Sequence, residues 1–153
     1  MPQSAPVRLR APAIDLSGPL MELGLQGDGT LEVPPGPFPA GWYTGAPTPG
    51  ELGPAVIAGH VRWNGAPAAF LRLDELERGD KVHVDRENGS TAVFRISKVQ
   101  EVSKQAFPSG RVYSDIDHAG LRLITCGGYD AESEEYRTNV IVFAELITAV
   151  ATT

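Results

Sequence analysis

The sequence predicts a mainly β fold built as one domain. Its 153 residues suit a single compact unit, and 42% hydrophobic residues are enough to bury a core. Seventeen glycines and thirteen prolines indicate many turns without reaching the level of a low-complexity chain. Several short runs alternate apolar and polar side chains with the two-residue period of half-buried strands.

The N-terminal third is expected to hold short strands and a long extended loop. Residues 1–6 are expected to be a flexible lead-in to a domain spanning 7–150. The alternation in 7–10 and 13–16 predicts two strands separated at Pro12. Four prolines within 33–41 exclude a helix there, because each proline fixes φ and removes a backbone donor.

The middle of the chain supplies the first candidate site residue. The apolar run 55–60 predicts a buried strand that carries His60 to a rim. Residues Phe70 to Leu76 place leucines on one face of a predicted short helix, and Gly79 is a suitable stop signal.

A long hairpin and two apolar strands follow. Asn88-Gly89 predicts a tight turn with positive φ at both positions, joining strand 81–85 to strand 91–102. The stretch 103–118 has an irregular pattern. Two further strands are predicted at 121–126 and 140–147.

Charge and composition exclude several classes of protein. A net charge of −6 without a basic run argues against nucleic-acid binding. No segment approaches the roughly 20 apolar residues of a membrane span, and no signal peptide precedes the domain, so the chain is expected to be soluble. One cysteine excludes an intrachain disulfide and a metal site built from several thiolates.

Three residues at predicted strand ends could form a site for acyl transfer. Cys126 ends an apolar strand and precedes two glycines, which leave room beside the sulfur. A histidine such as His60 can favour the reactive thiolate, and Arg137 could hold an oxyanion. Taken singly, each has a simpler interpretation as a buried thiol, a hydrogen-bonded histidine or a solvated charge. Their shared position at strand ends favours a functional role.

The other titratable residues carry weaker signals. His83 alternates with two valines and is expected on the solvent side of its strand. His118 follows Asp115 and Asp117, a pattern more typical of a solvated turn than of a metal site with a missing fourth ligand. We expect no metal and no cofactor.

The chain resembles the sortase family, most closely the actinobacterial class F sortases. The resemblance spans about residues 6–150 and is carried by Trp42-Tyr43 and four further elements: Val56-Ile57-Ala58-Gly59-His60, Leu121-Arg122-Leu123-Ile124-Thr125-Cys126, Gly127-Gly128 and Tyr136-Arg137-Thr138-Asn139-Val140. It implies a closed eight-stranded β-barrel with short helices in its connections. It also implies cysteine transpeptidation at the bacterial cell surface.

The resemblance assigns roles to individual residues. Cys126 would attack the Thr-Gly bond of a Leu-Pro-x-Thr-Gly-like sorting signal, with His60 as the proton shuttle and Arg137 as the oxyanion stabiliser. Thr125 would help to form the oxyanion hole, and Ala58 and Ile124 would line the peptide groove. The implied partners are that peptide and an amine of a cell-wall precursor or pilin.

Two departures from the family pattern stand out. Arg122 occupies the position four residues before the cysteine, where the common signature has threonine, so the sorting motif is expected to differ. The Gly127-Gly128 pair replaces the proline or aromatic residue that follows the cysteine in some other sortase classes. Sortases are also normally anchored by an N-terminal membrane helix, which we expect to precede Met1. The alternative functions are a non-catalytic extracellular β-barrel binding module with a structural cysteine and, within enzymes, a hydrolytic cysteine protease.

Overall fold

The computed structural model of the protein describes residues 1–24, 34–63, 65–102, 118–126, 129–130, 135–136 and 139–151. For some strand residues, Cys126 among them, the description covers the backbone alone. The strands are β1 (Pro6–Ala11), β2 (Leu16–Leu23), β3 (Ala40–Tyr43), β4 (Gly53–His60), β5 (Arg62–Trp63), β6 (Ala66–Pro67), β7 (Lys81–Arg86), β8 (Ser90–Val102), β9 (Ala119–Cys126), β10 (Tyr129–Asp130), β11 (Glu135–Tyr136) and β12 (Asn139–Ala151).

Eight of these strands close into a barrel. Their order around it is β1-β2-β3-β4-β9-β12-β8-β7, and β5-β6 and β10-β11 form separate two-stranded pairs. Pairing is parallel between β2 and β3 and between β4 and β9. The closed eight-stranded barrel expected from the sortase resemblance is therefore confirmed.

The barrel interior is apolar, as the alternation in the strands requires. Alternate residues within β4 (55 and 57), β9 (121 and 123) and β12 (140, 142 and 144) belong to one large cluster, while intervening residues such as Val56, Ile124 and Ile141 form a second cluster on the outer side of the wall. The interior cluster includes Leu9, Ile57, Val82, Phe94, Leu121, Leu123 and Val142. Among the described residues, no helix is long and apolar enough to cross a bilayer.

The N-terminal strands differ from their expected bounds. Residues 12–14 form a 3-10 helix instead of the start of a second strand, and β2 begins only at Leu16. Pro12 has no amide hydrogen for a ladder, and Asp15 turns the chain at φ 53°. Of residues 1–6, expected as a flexible lead-in, Pro6 is the first residue of β1, and the Met1 amine donates to the carbonyl oxygen of Gly50, between β3 and β4, at 3.0 Å.

The helix predicted between Phe70 and Leu76 is wrong. Only Leu73–Glu75 is helical, as a single 3-10 turn. The backbone N–H groups of Leu71, Leu73 and Leu76 each donate to the carbonyl oxygen three residues earlier, at 3.1–3.2 Å, so the segment is a series of tight turns rather than an α-helix. The remaining residues are too few to offset the cost of helix nucleation.

The hairpin between β7 and β8 is confirmed, but its turn differs from the prediction. Of the pair Asn88-Gly89, only Gly89 has positive φ, at 86°. Its N–H donates to the carbonyl oxygen of Arg86 at 3.0 Å, so the loop is longer than a two-residue primed turn.

Candidate active site

The parallel pair of β4 and β9 brings the two most reactive candidates to neighbouring positions. All eight residues of β4 are buried, as expected for a parallel strand covered on both faces. The register is continuous from Gly53 to the last pair, His60 with Cys126. Adjacent strands lie about 4.8 Å apart, so the backbones that carry the imidazole and the thiol are direct neighbours.

The imidazole of His60 is held from two sides. Its Nε2 lies 2.7 Å from the carbonyl oxygen of Pro34, and the residue is only 7% exposed. Because a carbonyl oxygen can only accept, Nε2 carries the hydrogen in this contact. The indole of Trp63 packs against the imidazole with ring centroids 4.9 Å apart and planes tilted by 59°. His60 is therefore a buried and oriented group rather than a solvated one.

Gly59 fixes the backbone just before this histidine. A Cβ added at Gly59 would lie 2.9 Å from the Phe70 ring and 3.2 Å from the Cβ of Ala40. The phenyl ring therefore lies directly against the backbone of β4, and the Phe70 N–H bonds to the His60 carbonyl oxygen. The absence of a side chain at position 59 permits this close packing.

Thr125 joins two strands beside the site. Its side chain is buried, and its hydroxyl accepts a hydrogen bond of 2.8 Å from the backbone N–H of Val140. This contact connects the end of β9 to the beginning of β12. A hydroxyl also has one hydrogen to donate, so the contact is compatible with the role expected from the resemblance.

Ala58 and Ile124 are partners in the register between β4 and β9. Both are buried on the outward side of the barrel wall. Ile124 packs there in a small apolar group that we call the outer cluster, formed by Val56, Ile124, Ile141 and Phe143, with Tyr43 packed against it. The two residues expected to line a peptide groove are therefore direct neighbours.

Some sequence-predicted features lie outside the described residues. They are Arg137, the Gly127-Gly128 pair and residues 103–117 of the irregular stretch 103–118. Strand β12 begins at Asn139 and pairs antiparallel with β9. The proposed guanidinium at position 137 stays a prediction.

The other two histidines lie elsewhere. His83 is half-buried on β7, where burial lowers the pKa of its imidazole. The Nε2 of His118 lies 2.6 Å from the Oε2 of Glu145. Within the described part of the chain, no group of three histidine, cysteine or acidic residues could hold a metal ion.

The groups that orient His60 could not be predicted from residue patterns. Pro34 acts through its backbone carbonyl, and no side-chain pattern marks such a contact. Trp63 carried a weak signal, an aromatic residue three positions after a candidate catalytic histidine. A pocket of about 260 Å³ also lies between β2 and residues 38–40, and its lining includes Ala40 and Phe70, the two residues that pack against Gly59.

Fold and site together define a β-barrel protein whose one cysteine and a histidine end adjacent parallel strands. A model of the Sortase domain matches residues 9–147, so the chain belongs to the sortase family. A search of curated protein sequences finds no match.

Several solved structures share the fold at low sequence identity. Sortase C of Streptococcus pneumoniae superposes with a TM-score of 0.69 at 21% identity, covering 95% of this chain and 68% of that one. A lid mutant of sortase A from Corynebacterium diphtheriae gives 0.71 at 19% identity, covering 97% and 73%. Sortase A of Listeria monocytogenes gives 0.70 at 16% identity, covering 99% and 92%.

Proposed function

We propose that this sortase-family chain is a cysteine transpeptidase that uses Cys126 as nucleophile and His60 as proton shuttle. The observation that carries the proposal is the register of β4 and β9, which ends with these two residues side by side. Acyl transfer needs a nucleophile and a proton donor within reach of the same carbonyl.

The proposed reaction has two balanced steps. In the first, the Cys126 thiolate attacks the carbonyl carbon of the Thr-Gly bond, His60 protonates the departing glycyl amine, and the carbon-nitrogen bond breaks. In the second, an incoming amine attacks the thioester, His60 accepts its proton, and the carbon-sulfur bond breaks. Arg137 and Thr125 would stabilise the oxyanion in both steps, which is the kind of interaction that lowers such barriers most.

The finer assignments are also proposals. We propose the class F subfamily, a Leu-Pro-x-Thr-Gly-like signal bound over Ala58 and Ile124, and an extracytoplasmic location with an N-terminal anchor. The acceptor would be an amine of a cell-wall precursor or a pilin. The similar sortase C of Streptococcus pneumoniae is described in terms of pilin substrate specificity, which supports the second source of amine.

The test is intact-mass detection of the thioacyl enzyme. The full chain is incubated with a Leu-Pro-x-Thr-Gly peptide, and its mass should increase by that of the N-terminal fragment. Cys126→Ala should keep the fold and lose both adduct and cleavage, because the alanine methyl group cannot attack. Full cleavage by this variant would reject the mechanism.

An added amine distinguishes the enzyme classes. A transpeptidase should divert the acyl group onto an amine such as triglycine, whereas a hydrolytic protease should release only free acid. A binding module with a structural cysteine should form no adduct with any peptide.

A further inference from the structure

Arg122 is a buried cation on the strand that carries the cysteine. It lies on β9 four residues before Cys126 and is only 5% exposed. Its Nη1 donates to the backbone carbonyl oxygen of Leu121 at 3.2 Å, and its Nε has no hydrogen-bond partner in the part of the chain that the structure describes. Burial lowers the pKa of this guanidinium, with the charge of Glu145 opposing the shift.

The described surroundings of Arg122 offset its charge only in part. The guanidinium carbon lies 4.8 Å from the centroid of the Phe143 ring, a favourable cation-π contact. The acid that acts on its charge, Glu145, is already engaged by His118 at 2.6 Å and by the Ser97 hydroxyl at 3.0 Å. None of the ion pairs among the described residues includes Arg122. A buried charge of this kind destabilises a fold unless something binds it.

The position of Arg122 relates it to the peptide path of the proposed function. Residues 122, 124 and 126 of a strand share one face, so Ile124 lies between Arg122 and the cysteine position. Four strand residues span about 13 Å, the length of four residues of an extended peptide. A signal whose threonine lies at position 126 and whose proline lies over Ile124 would bring the residue before its leucine to Arg122.

We propose that Arg122 is a specificity-determining residue that binds the carboxylate of an acidic side chain just before the leucine of the sorting signal. The inference rests on the proposed function. A guanidinium offers a planar fork of donors that matches a carboxylate in two-point geometry. The carboxylate supplies the negative charge that balances the guanidinium.

The test measures the charge preference of the peptide. Peptides with Asp or Asn before the leucine are compared by kcat/KM for release of the glycyl fragment. Their dissociation constants with Cys126→Ala protein are also compared, and this second readout needs no catalysis. We expect the wild type to favour Asp by roughly tenfold or more, the effect of one charge-assisted hydrogen-bonded contact.

Variants at position 122 test whether Arg122 causes the preference for Asp over Asn. Arg122→Met should abolish it, and Arg122→Lys, which keeps the charge without the fork, should retain part of it. Arg86→Met is the matched control, because Arg86 is also a buried arginine whose Nε has no partner among the described residues, on β7 and separated from β9 by two strands. It should leave the preference unchanged.

Stability provides a second signature. Arg122→Met should melt at the same temperature or about 2–8 °C higher, since an uncompensated buried charge is replaced by an apolar chain of similar length. A merely structural arginine would lower the melting temperature when removed and would leave the peptide preference in place.

Two results would overturn the proposal: equal binding of Asp and Asn peptides by the wild type, or a preference that survives in Arg122→Met. Failure of the proposed function has a different signature, the lack of a thioacyl adduct with every peptide, neutral ones included. If a neutral peptide forms the adduct but the wild type shows no charge preference, the proposed function stands and only the role of Arg122 is rejected.

Discussion

Two strand pairs of the same barrel are built on opposite principles. The pair β4-β9 is parallel, buried and free of register shifts, and it ends at His60 with Cys126. The pair β1-β7 is antiparallel and has an irregular register between Pro6 and Arg8. Partly exposed polar side chains join its two strands: the Arg10 guanidinium donates to the Asp85 carboxylate at 2.8 Å and 3.0 Å.

The comparison indicates that the β4-β9 pair positions the site residues, whereas the β1-β7 pair closes the barrel. A regular pair enclosed on both faces holds its backbone in one register, so residues at its end have a fixed separation. A partly exposed pair joined by charges tolerates irregularity, and its polar contacts respond to pH and salt. We therefore expect substitutions in the first pair to affect activity and those in the second to affect stability only slightly.

The largest expected effect is the loss of activity in His60→Ala, compared with His83→Ala in the other strand pair. His60→Ala should lower kcat/KM for transpeptidation by about 10²- to 10⁴-fold, the usual contribution of a general acid-base group. His83→Ala is the matched control, because His83 is paired with Arg10 across β1-β7. Its kcat/KM should equal that of the wild type. A His60→Ala variant that keeps more than about a tenth of the activity would contradict the assignment.

The sequence predicts the two strands β4 and β9, but it does not predict that they pair with each other. The runs 55–60 and 121–126 are continuous apolar stretches typical of buried strands, and both lie within observed strands. Their parallel pairing joins His60 to Cys126, far apart in the chain, and no local pattern specifies it. The resemblance to sortases, rather than residue periodicity, predicts the closed barrel.

The orientation of His60 is a second feature that local sequence patterns do not predict. The sequence predicts that the residue ends a buried strand, which β4 confirms. It does not predict that the Pro34 carbonyl oxygen binds the ring, because any residue can supply a carbonyl. The helix expected after Phe70 fails because the leucine spacing does not specify which carbonyl oxygen each N–H binds, and here the bonds run three residues back instead of four.

The next effect tests the close packing that fixes β4. Gly59→Ala should lower the free energy of unfolding by about 1–3 kcal/mol, because the new methyl group would overlap the Phe70 ring. It should also lower kcat, since Phe70 is hydrogen-bonded to the backbone of His60. Urea unfolding and peptide kinetics provide both values. Gly18→Ala on β2 has open space around the new methyl group and should change neither; equal stability of both variants would argue against the packing.

A smaller effect is expected from comparing Thr125 on β9 with Thr91 on β8, whose hydroxyl donates to Asp85 of the β1-β7 pair. Thr125→Val should cost about 1–3 kcal/mol, because it leaves the buried N–H of Val140 without an acceptor. Thr91→Val removes a 2.8 Å bond to Asp85, a partly exposed carboxylate that water can still solvate. Its cost should be below about 1 kcal/mol by urea unfolding. Thr125→Ser, which keeps the hydroxyl, should restore most of the loss, and a larger cost at Thr91 would reverse the comparison.

The smallest effect is the pH dependence of the β1-β7 pair. The hydrogen bond from Arg10, and to a lesser degree that from Thr91, lowers the pKa of the Asp85 carboxyl against the opposing effect of burial. A carboxyl whose pKa is lower in the folded than in the unfolded state stabilises the fold. This stabilisation is fully present at pH values above the unfolded-state pKa of about 3.9, and it is lost as the pH falls through the folded-state pKa. Because both side chains are partly exposed, the contribution should be about 0.5–1 kcal/mol. The free energy of unfolding of wild type minus that of Asp85→Asn should therefore be constant from about pH 5 to 8 and shrink below about pH 4. A difference that stayed the same at about pH 3 would show that the carboxylate charge does not stabilise this strand pair.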